Sequence, residues 1–340
     1  MPQRIAINGF GRIGRYLARL LAQDRSLALA AVNDIMPVNE AVHLLRHDSV
    51  HGPFPEATPN GPGGFLLSGS PVTYSRHSGD GWDWGALGVD TVVECTGVLT
   101  DRHSAERHLA KGAKRVVIAA PSPDADITVV MGVNDGLLRH RHTVISNASC
   151  TVNCLALPIR QVQRAFGIVH GNMTTVHPYT LRQRVLDGSH ADIRRARACA
   201  INIVPTPVGA HETLGAVIPE LRGKLFGTAL RVPVASVALI DLVCELKRKT
   251  DTAEVRAVLR DAADKHMAYC TEPLVSSDFT GSPYASVVDE EMTVVTDGTL
   301  LRLLAWYDNE AGFSNQILRL LHKLDTLAGA PTAKSSAAAE

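Results

Sequence analysis

Residues 3–34 read QRIAINGFGRIGRYLARLLAQDRSLALAAVND. The apolar run at 4–8 stops at Gly9. Residues 11–24 then set Ile13, Leu17, Leu20 and Leu21 on one helical face, and a second apolar run at 27–32 ends in Asn33-Asp34. Between strand and helix lies Gly9-Phe10-Gly11-Arg12-Ile13-Gly14. A GxGxxG string alone is a weak signal. Here it follows a strand, opens a helix and precedes an acidic residue, Asp34, 20 positions past Gly14, and that context is the dinucleotide-binding fingerprint. Gly9 permits a tight turn, Gly11 lets the backbone approach a pyrophosphate, and Gly14 lets the helix pack on the strand. Free N–H groups at the helix start then hold the phosphates. Phe10, Arg12 and Ile13 complete the loop, so all six residues are expected at the cofactor. Asp34 is placed to accept hydrogen bonds from the adenosine ribose. Its charge repels a 2′-phosphate, and no Lys or Arg follows before Arg46, which favours NAD over NADP.

Outward from this unit, β-rich runs recur at 89–94, 115–119, 127–131 and 143–145, with a helical stretch near 103–111. Apolar strands alternating with helices predict a parallel sheet covered on both faces. After residue 150 the texture changes. A helix at 151–165 precedes longer, alternating runs at 167–177, 226–233, 235–246 and 292–307, which predict an antiparallel sheet with one helical face. Residues 178–225 read as a long loop plus a short helix, and 252–266 and 313–327 as helices. The expected fold class is α/β: a Rossmann dinucleotide-binding domain at 1–149, and an α+β catalytic domain with a mostly antiparallel sheet at 150–313. The small, polar segment 328–340 is expected to be a flexible tail.

The length of 340 residues agrees with about two domains. With 45% hydrophobic residues and zero net charge, the composition excludes general disorder and argues against nucleic acid as a main partner. There is no run of 18 apolar residues and no signal-peptide pattern, so the expected location is the cytoplasm and no membrane association is expected. The six cysteines are scattered without CxxC spacing, so reduced thiols and no metal site are expected. Five of them read as small core residues.

Cys150 is the exception. It follows an apolar strand and starts a helix within SNASCTVNC (146–154), where the positive helix end lowers a thiol pKa. Pairing with a histidine would make thiolate its main form. Cys154, one turn on, reads as packing. Among 14 histidines, His177 stands out because it ends the strand-like run 171–176 at the edge of the long loop.

These residues resemble a known family. INGFGRIGR at 7–15, NASCT at 147–151, TTVHPYT at 174–180, RVP at 231–233 and WYDNE at 306–310 are similar to phosphorylating glyceraldehyde-3-phosphate dehydrogenase, in the same order, from residue 4 to about 325. The resemblance implies a homotetramer and a C-terminal helix (314–327) that packs back on the first domain. It implies that Cys150 attacks the aldehyde, that His177 is the base, and that a Cys150 thioester is cleaved by inorganic phosphate. Asn309 would orient the nicotinamide, and Thr96 and Gly97 would join the cofactor site. Arg231 would serve both the substrate phosphate and the attacking phosphate. Thr180 would serve the first, and Ser149, Thr151 and Gly209 the second.

The chain also departs from the family pattern. Val208 replaces a phosphate-binding Thr, Glu212 replaces a Lys, and Ala311 replaces a Trp. Arg182 stands where a small or acidic residue is usual, either as a substitute phosphate ligand or as a solvated loop charge. Ser189 and the segment 187–206 are similar to the photosynthetic branch, which accepts NADP, whereas Ile35 replaces that branch's Thr; NAD stands first and NADP is the alternative. Erythrose-4-phosphate dehydrogenase and a non-catalytic NAD-binding scaffold are the competing functions.

Overall fold

The computed structural model describes residues 2–329. Seven parallel strands build the first sheet: β1 (Gln3–Asn8), β2 (Leu27–Asn33), β3 (Ser70–Ser75), β4 (Thr91–Glu94), β5 (Arg115–Ile118), β6 (Ile127–Thr128) and β7 (Val144–Ser146). Their order is β6-β7-β5-β4-β1-β2-β3, and Gly64–Leu67 and Ala57–Pro59 extend the β3 edge antiparallel. The buried two-faced strands explain the continuous apolar runs: all four residues of β4 are buried, as are five of the six in β1. Helix α1 (Arg12–Leu21) packs on this sheet through Leu17 and Leu21.

The second sheet centres on β8 (Ile168–Pro178), β9 (Leu225–Val232), β10 (Ala238–Leu246) and β11 (Leu300–Tyr307). The order runs Val204–Pro207, β9, β8, β10, β11, Ser286–Asp289, Met267–Cys270. Its pairings are antiparallel except β8 with β9 and Ser286–Asp289 with Met267–Cys270. Helix α2 (Cys150–Phe166) fills the space above it, with Val152, Leu155, Ile159 and Val162 buried in one apolar cluster. Helix α3 (Ala311–Gly329) leaves the end of β11 and returns to the first sheet, where Ile317, Leu320, Leu321 and Leu324 pack with Ile5, Leu17 and Val42. Cys150 touches both apolar clusters, so it sits where the two cores meet.

Several expected elements change. The run 127–131 shortens to Ile127–Thr128. The helix expected over 252–266 ends at Asp261, and Met267–Cys270 is an edge strand. The run 292–307 breaks at Asp297-Gly298, both at positive φ, into a hairpin that pairs Val294–Thr296 with β11. The long loop contains the strand Val204–Pro207 and the helix Ala210–Val217. The helix Val38–Arg46 and the strands between residues 57 and 75 are further elements the apolar pattern had not marked. Helix α3 reaches Gly329, and the rest of the expected tail lies outside the described residues. Cys95 and Cys270 are partly exposed rather than core, whereas Cys154, Cys199 and Cys244 are buried; all six are free thiols.

Candidate active site

The glycine loop lies at the C-terminal edge of the first sheet, where β1 hands over to α1. Gly9 has φ +95°, and a Cβ there would lie 2.5 Å from the Thr96 nitrogen. A Cβ on Gly14 would lie 2.3 Å from the Gly9 carbonyl oxygen. Packing therefore demands both glycines. Gly11 is different: a Cβ on it would meet nothing within 4 Å. It caps α1 with no side-chain hydrogen bond, and the N–H groups of Gly11, Arg12 and Ile13 are left open at the helix start, whereas the Gly9 N–H donates to the Asn33 carbonyl.

Asp34 follows β2 beside this loop. Its Oδ2 accepts from the Phe10 N–H at 2.5 Å and its Oδ1 from the Met36 N–H at 2.9 Å. Each carboxylate oxygen can still accept one further bond. Asn309, at the start of α3, has a buried Oδ1 without a hydrogen-bond partner. Open donor N–H groups at the glycine loop and an orphaned carboxamide oxygen on Asn309 fit a dinucleotide with a carboxamide of its own.

Two of the expected cofactor residues use their side chains otherwise. The Thr96 hydroxyl donates to Glu94, turning away from the groove. The Arg12 guanidinium bridges Asp48 (2.5 and 3.0 Å) and Glu310 (2.8 and 2.6 Å), and His51 Nε2 also meets Glu310 at 2.8 Å. What Arg12 and Thr96 offer a cofactor is backbone. Arg12 ties the start of α1 to the start of α3 instead. Burial raises the Asp48 carboxyl, but Arg12 and the N–H groups of His51 and Val50 outweigh it and hold Asp48 at about 2. A depressed carboxyl adds stability above the unfolded value, and that stability is lost as pH falls through the folded one. Asp48→Asn is expected to cost about 2 kcal/mol in urea unfolding at pH 7, with the gap to wild type closing between about pH 4 and pH 2.

The nucleophile is placed by α2. Ala148, at φ +57°, turns the chain after β7, and the Ser149 hydroxyl accepts from the Val152 N–H at 3.2 Å as the helix cap. Cys150 is thus the first residue of α2. His177 lies near the end of β8, and its Nε2 is 3.6 Å from Cys150 Sγ. His177 Nδ1 faces the Pro178 carbonyl at 2.9 Å, and Tyr307 lies edge-on to the ring at 6.1 Å between centroids. Nε2 is thus the ring nitrogen that faces the thiol.

Electrostatics here differ from the sequence expectation. Burial pushes the Cys150 thiol up, and Arg231 pulls it partly back. Burial, then the Arg231 charge, push His177 down to about 3. The positive helix end acts in a desolvated place, so burial works against the thiolate that the helix end and the histidine were expected to favour. Cys154 is fully buried, with its Sγ 3.5 Å from Ser286 Oγ, as a packing residue would be.

Arg231 approaches from β9, in register with His177 on β8. Its Nη1 lies 2.5 Å from His177 Nδ1 and donates to the Pro178 carbonyl at 3.1 Å. Among the described residues no carboxylate is paired with it. Burial, and the charges of Arg195 and Arg182, push its guanidinium below the ordinary value. Three arginine charges thus act beside the thiol, a field that suits an anion.

The other anion residues behave unequally. Thr180 accepts from the Arg182 N–H at 3.4 Å in the loop after β8. Thr151 is buried, with its hydroxyl on the Tyr307 hydroxyl at 2.9 Å, rather than facing outward. Gly209 caps the helix Ala210–Val217 without a side-chain partner, and Glu212 Oε2 would be 3.9 Å from a Cβ on it. Arg182 is exposed, and its guanidinium donates to the Gly97 carbonyl. Tyr307, Glu310 and Glu94 were not foreseen. Tyr307 and Glu310 flank Asn309 in the WYDNE string, which was the available signal.

Comparisons with known proteins agree with this arrangement. Residues 3–102 match the family model described as glyceraldehyde 3-phosphate dehydrogenase, NAD binding domain, and residues 149–309 match its C-terminal domain. The chain is 45% identical over 326 residues to glyceraldehyde-3-phosphate dehydrogenase of Geobacillus stearothermophilus, covering 94% of this chain and 97% of the relative. It is 44% identical to glyceraldehyde-3-phosphate dehydrogenase 1 of Bacillus subtilis, with the same coverage. It is also 44% identical to a chloroplastic glyceraldehyde-3-phosphate dehydrogenase of Arabidopsis thaliana, over 93% of this chain and 82% of the relative. A first half that binds a dinucleotide and a second half that presents a cysteine–histidine pair beside an arginine place this chain in the glyceraldehyde-3-phosphate dehydrogenase family.

Proposed function

We propose that the chain oxidises D-glyceraldehyde 3-phosphate to 1,3-bisphosphoglycerate, with NAD in the groove and inorganic phosphate as acyl acceptor. The observation that carries this reading is Cys150 Sγ at 3.6 Å from His177 Nε2, beside an Arg231 that has no carboxylate partner among the described residues. Cys150 sulfur adds to the aldehyde carbon while His177 Nε2 takes the thiol proton and passes it to the aldehyde oxygen, which becomes the hemithioacetal hydroxyl. The hemithioacetal hydroxyl then gives its proton to the histidine system as hydride leaves the same carbon. NAD bound in this groove supplies the hydride acceptor. The product is a Cys150 thioester. A phosphate oxygen attacks its carbonyl carbon, the carbon–sulfur bond breaks, and Cys150 leaves with a proton returned by His177.

The Cys150 backbone N–H, free at the helix start, steadies the oxyanion that forms at each addition. Arg231, Thr180 and Arg195 hold the substrate phosphate. Ser149, Gly209 and Arg231 hold the attacking phosphate, with Thr151 set back against Tyr307. Asp34 takes the ribose hydroxyls, the Gly9–Gly14 loop the pyrophosphate, and Asn309 the nicotinamide amide. NADP remains the alternative on the strength of Ser189.

The division at 149/150 is part of this reading, since the first residue of α2 carries the nucleophile between the two sheets. So is a homotetramer: Leu181, Val185, Leu186, Ile193, Ile201 and Ile203 are exposed together on the 181–203 loop, an apolar surface that a second copy would cover. A cytoplasmic location is proposed as well. Among the described residues no helix is long and apolar enough to cross a membrane.

A second reading, erythrose-4-phosphate dehydrogenase, is favoured by one feature. Glu212 sets a carboxylate near the Gly209 helix cap, and Val208 brings no hydroxyl, so phosphorolysis is weakened. Rates of NAD reduction on the two aldehydes, with and without phosphate, decide between them. Glyceraldehyde 3-phosphate oxidation that depends on phosphate supports the first reading. An advantage of about tenfold for erythrose 4-phosphate, with phosphate dispensable, overturns it.

A further inference from the structure

Beneath the groove, the last residues of four neighbouring parallel strands are polar. Ser75, Asn33, Asn8 and Glu94 stand in register across β3, β2, β1 and β4. Ser75 Oγ donates to Asn33 Oδ1 at 2.9 Å, Asn33 Nδ2 to Asn8 Oδ1 at 2.8 Å, and Asn8 Nδ2 to Glu94 Oε2 at 2.5 Å. His108, from the helix Arg102–Ala110, closes the row. Trp84 Nε1 donates to His108 Nδ1 at 3.1 Å, so the His108 proton sits on Nε2, which donates to Glu94 Oε2 at 3.2 Å. Trp82 stacks on the same ring at 4.2 Å. On its other oxygen, Glu94 accepts from the Thr96 N–H at 2.7 Å and from the Thr96 hydroxyl. Glu94 and His108 side chains are wholly buried.

A buried carboxylate is retained only where its hydrogen bonds are complete, and this one has four donors on two oxygens. Three of its four donors come from the residue before Gly9 and the residue before Gly97, and the Thr96 nitrogen lies 2.5 Å from where a Gly9 Cβ would be. Glu94 is therefore the common anchor of the two turns that line the groove. It touches none of Cys150, His177 or Arg231.

We propose that Glu94 is a positioning residue for the dinucleotide. Its carboxylate locks the Gly9–Gly11 and Thr96–Gly97 turns against each other in the geometry that receives the cofactor. The proposal rests on the reading that this groove holds NAD. Glu94→Gln keeps the shape but offers one acceptor oxygen to four donors, so one turn loses its anchor.

The test measures NAD affinity by calorimetry and, separately, the rate at which iodoacetamide alkylates Cys150 without NAD. For E94Q the Kd for NAD is expected to rise about 10- to 100-fold. Alkylation should stay within about twofold of wild type, because the nucleophile is held by α2 and not by this row. A folded E94Q that binds NAD like wild type overturns the proposal, and so does an alkylation rate that falls in proportion to affinity. Thr96→Val removes only one donor and preserves the backbone bond; its Kd should rise about three- to tenfold, and an unchanged value overturns the proposal should E94Q not fold. Wild-type protein that takes up no NAD defeats the proposed function itself, which separates the two failures.

Discussion

His177→Asn is expected to slow NAD reduction about 10²–10⁴-fold at pH 7, with little change in the Kd for NAD. The imidazole is held at about 3 by burial and by Arg231, so at neutral pH it is a base waiting for a proton. The thiol 3.6 Å away is pushed up by burial. With Asn in place of His, sulfur attack must proceed without a neighbouring base, and hydride departure loses the same partner. The check is a comparison of kcat with iodoacetamide alkylation at several pH values. Both should fall in the variant at pH 7, and alkylation should recover at high pH where hydroxide ionises the thiol directly. A variant with near-normal kcat would remove His177 from the chemistry.

Arg231→Met is expected to reduce kcat/KM for the phosphorylated aldehyde by about 10²–10³-fold. A charge-assisted hydrogen bond contributes about 1.5–3 kcal/mol, and a planar guanidinium can make two to one phosphate. The side chain is half-buried and paired with no carboxylate among the described residues, so an arriving anion supplies the counter-charge that the Pro178 carbonyl does not. Met conserves much of the volume, so β8 and β9 should stay in register. Steady-state kinetics on glyceraldehyde 3-phosphate and on unphosphorylated glyceraldehyde separate the roles. Loss confined to the phosphorylated substrate and to the KM for inorganic phosphate supports anion binding. Equal loss on both aldehydes would make Arg231 a support for His177 instead.

The α/β class, the glycine loop and the placement of Asp34, Cys150 and His177 were legible because each depends on local pattern. Gly9 and Gly14 are forced by contacts within one strand–turn–helix unit, and Cys150 by the strand-to-helix junction it occupies. The contact between Cys150 and His177 was not legible. It depends on α2 and β8 meeting across the second sheet, and no spacing encodes that. Thr151, Arg12 and Thr96 show the same limit: their motif membership was plain, but Tyr307, Glu310 with Asp48, and Glu94 claim their side chains from distant parts of the chain. The thiolate expectation weighed a helix end and a histidine without the burial that both residues share, which acts against it. Edge elements failed for another reason. Met267–Cys270 and the strands at 57–75 are short and half-exposed, so they carry little apolar period. The polar row under the groove left one trace, a polar residue closing each apolar strand at Asn8, Asn33, Ser75 and Glu94, which reads as ordinary strand termination until register aligns the four.

The central claim is that Cys150 carries the acyl group between oxidation and phosphorolysis. Mass spectrometry of the protein mixed with NAD and glyceraldehyde 3-phosphate in phosphate-free buffer tests it most directly. The account predicts a 3-phosphoglyceryl thioester on the peptide bearing Cys150 and on no other cysteine, formed with one reduced NAD per adduct and discharged as acyl phosphate when inorganic phosphate is added. Reduced NAD appearing with no adduct on Cys150, or an adduct that inorganic phosphate does not discharge, would contradict it.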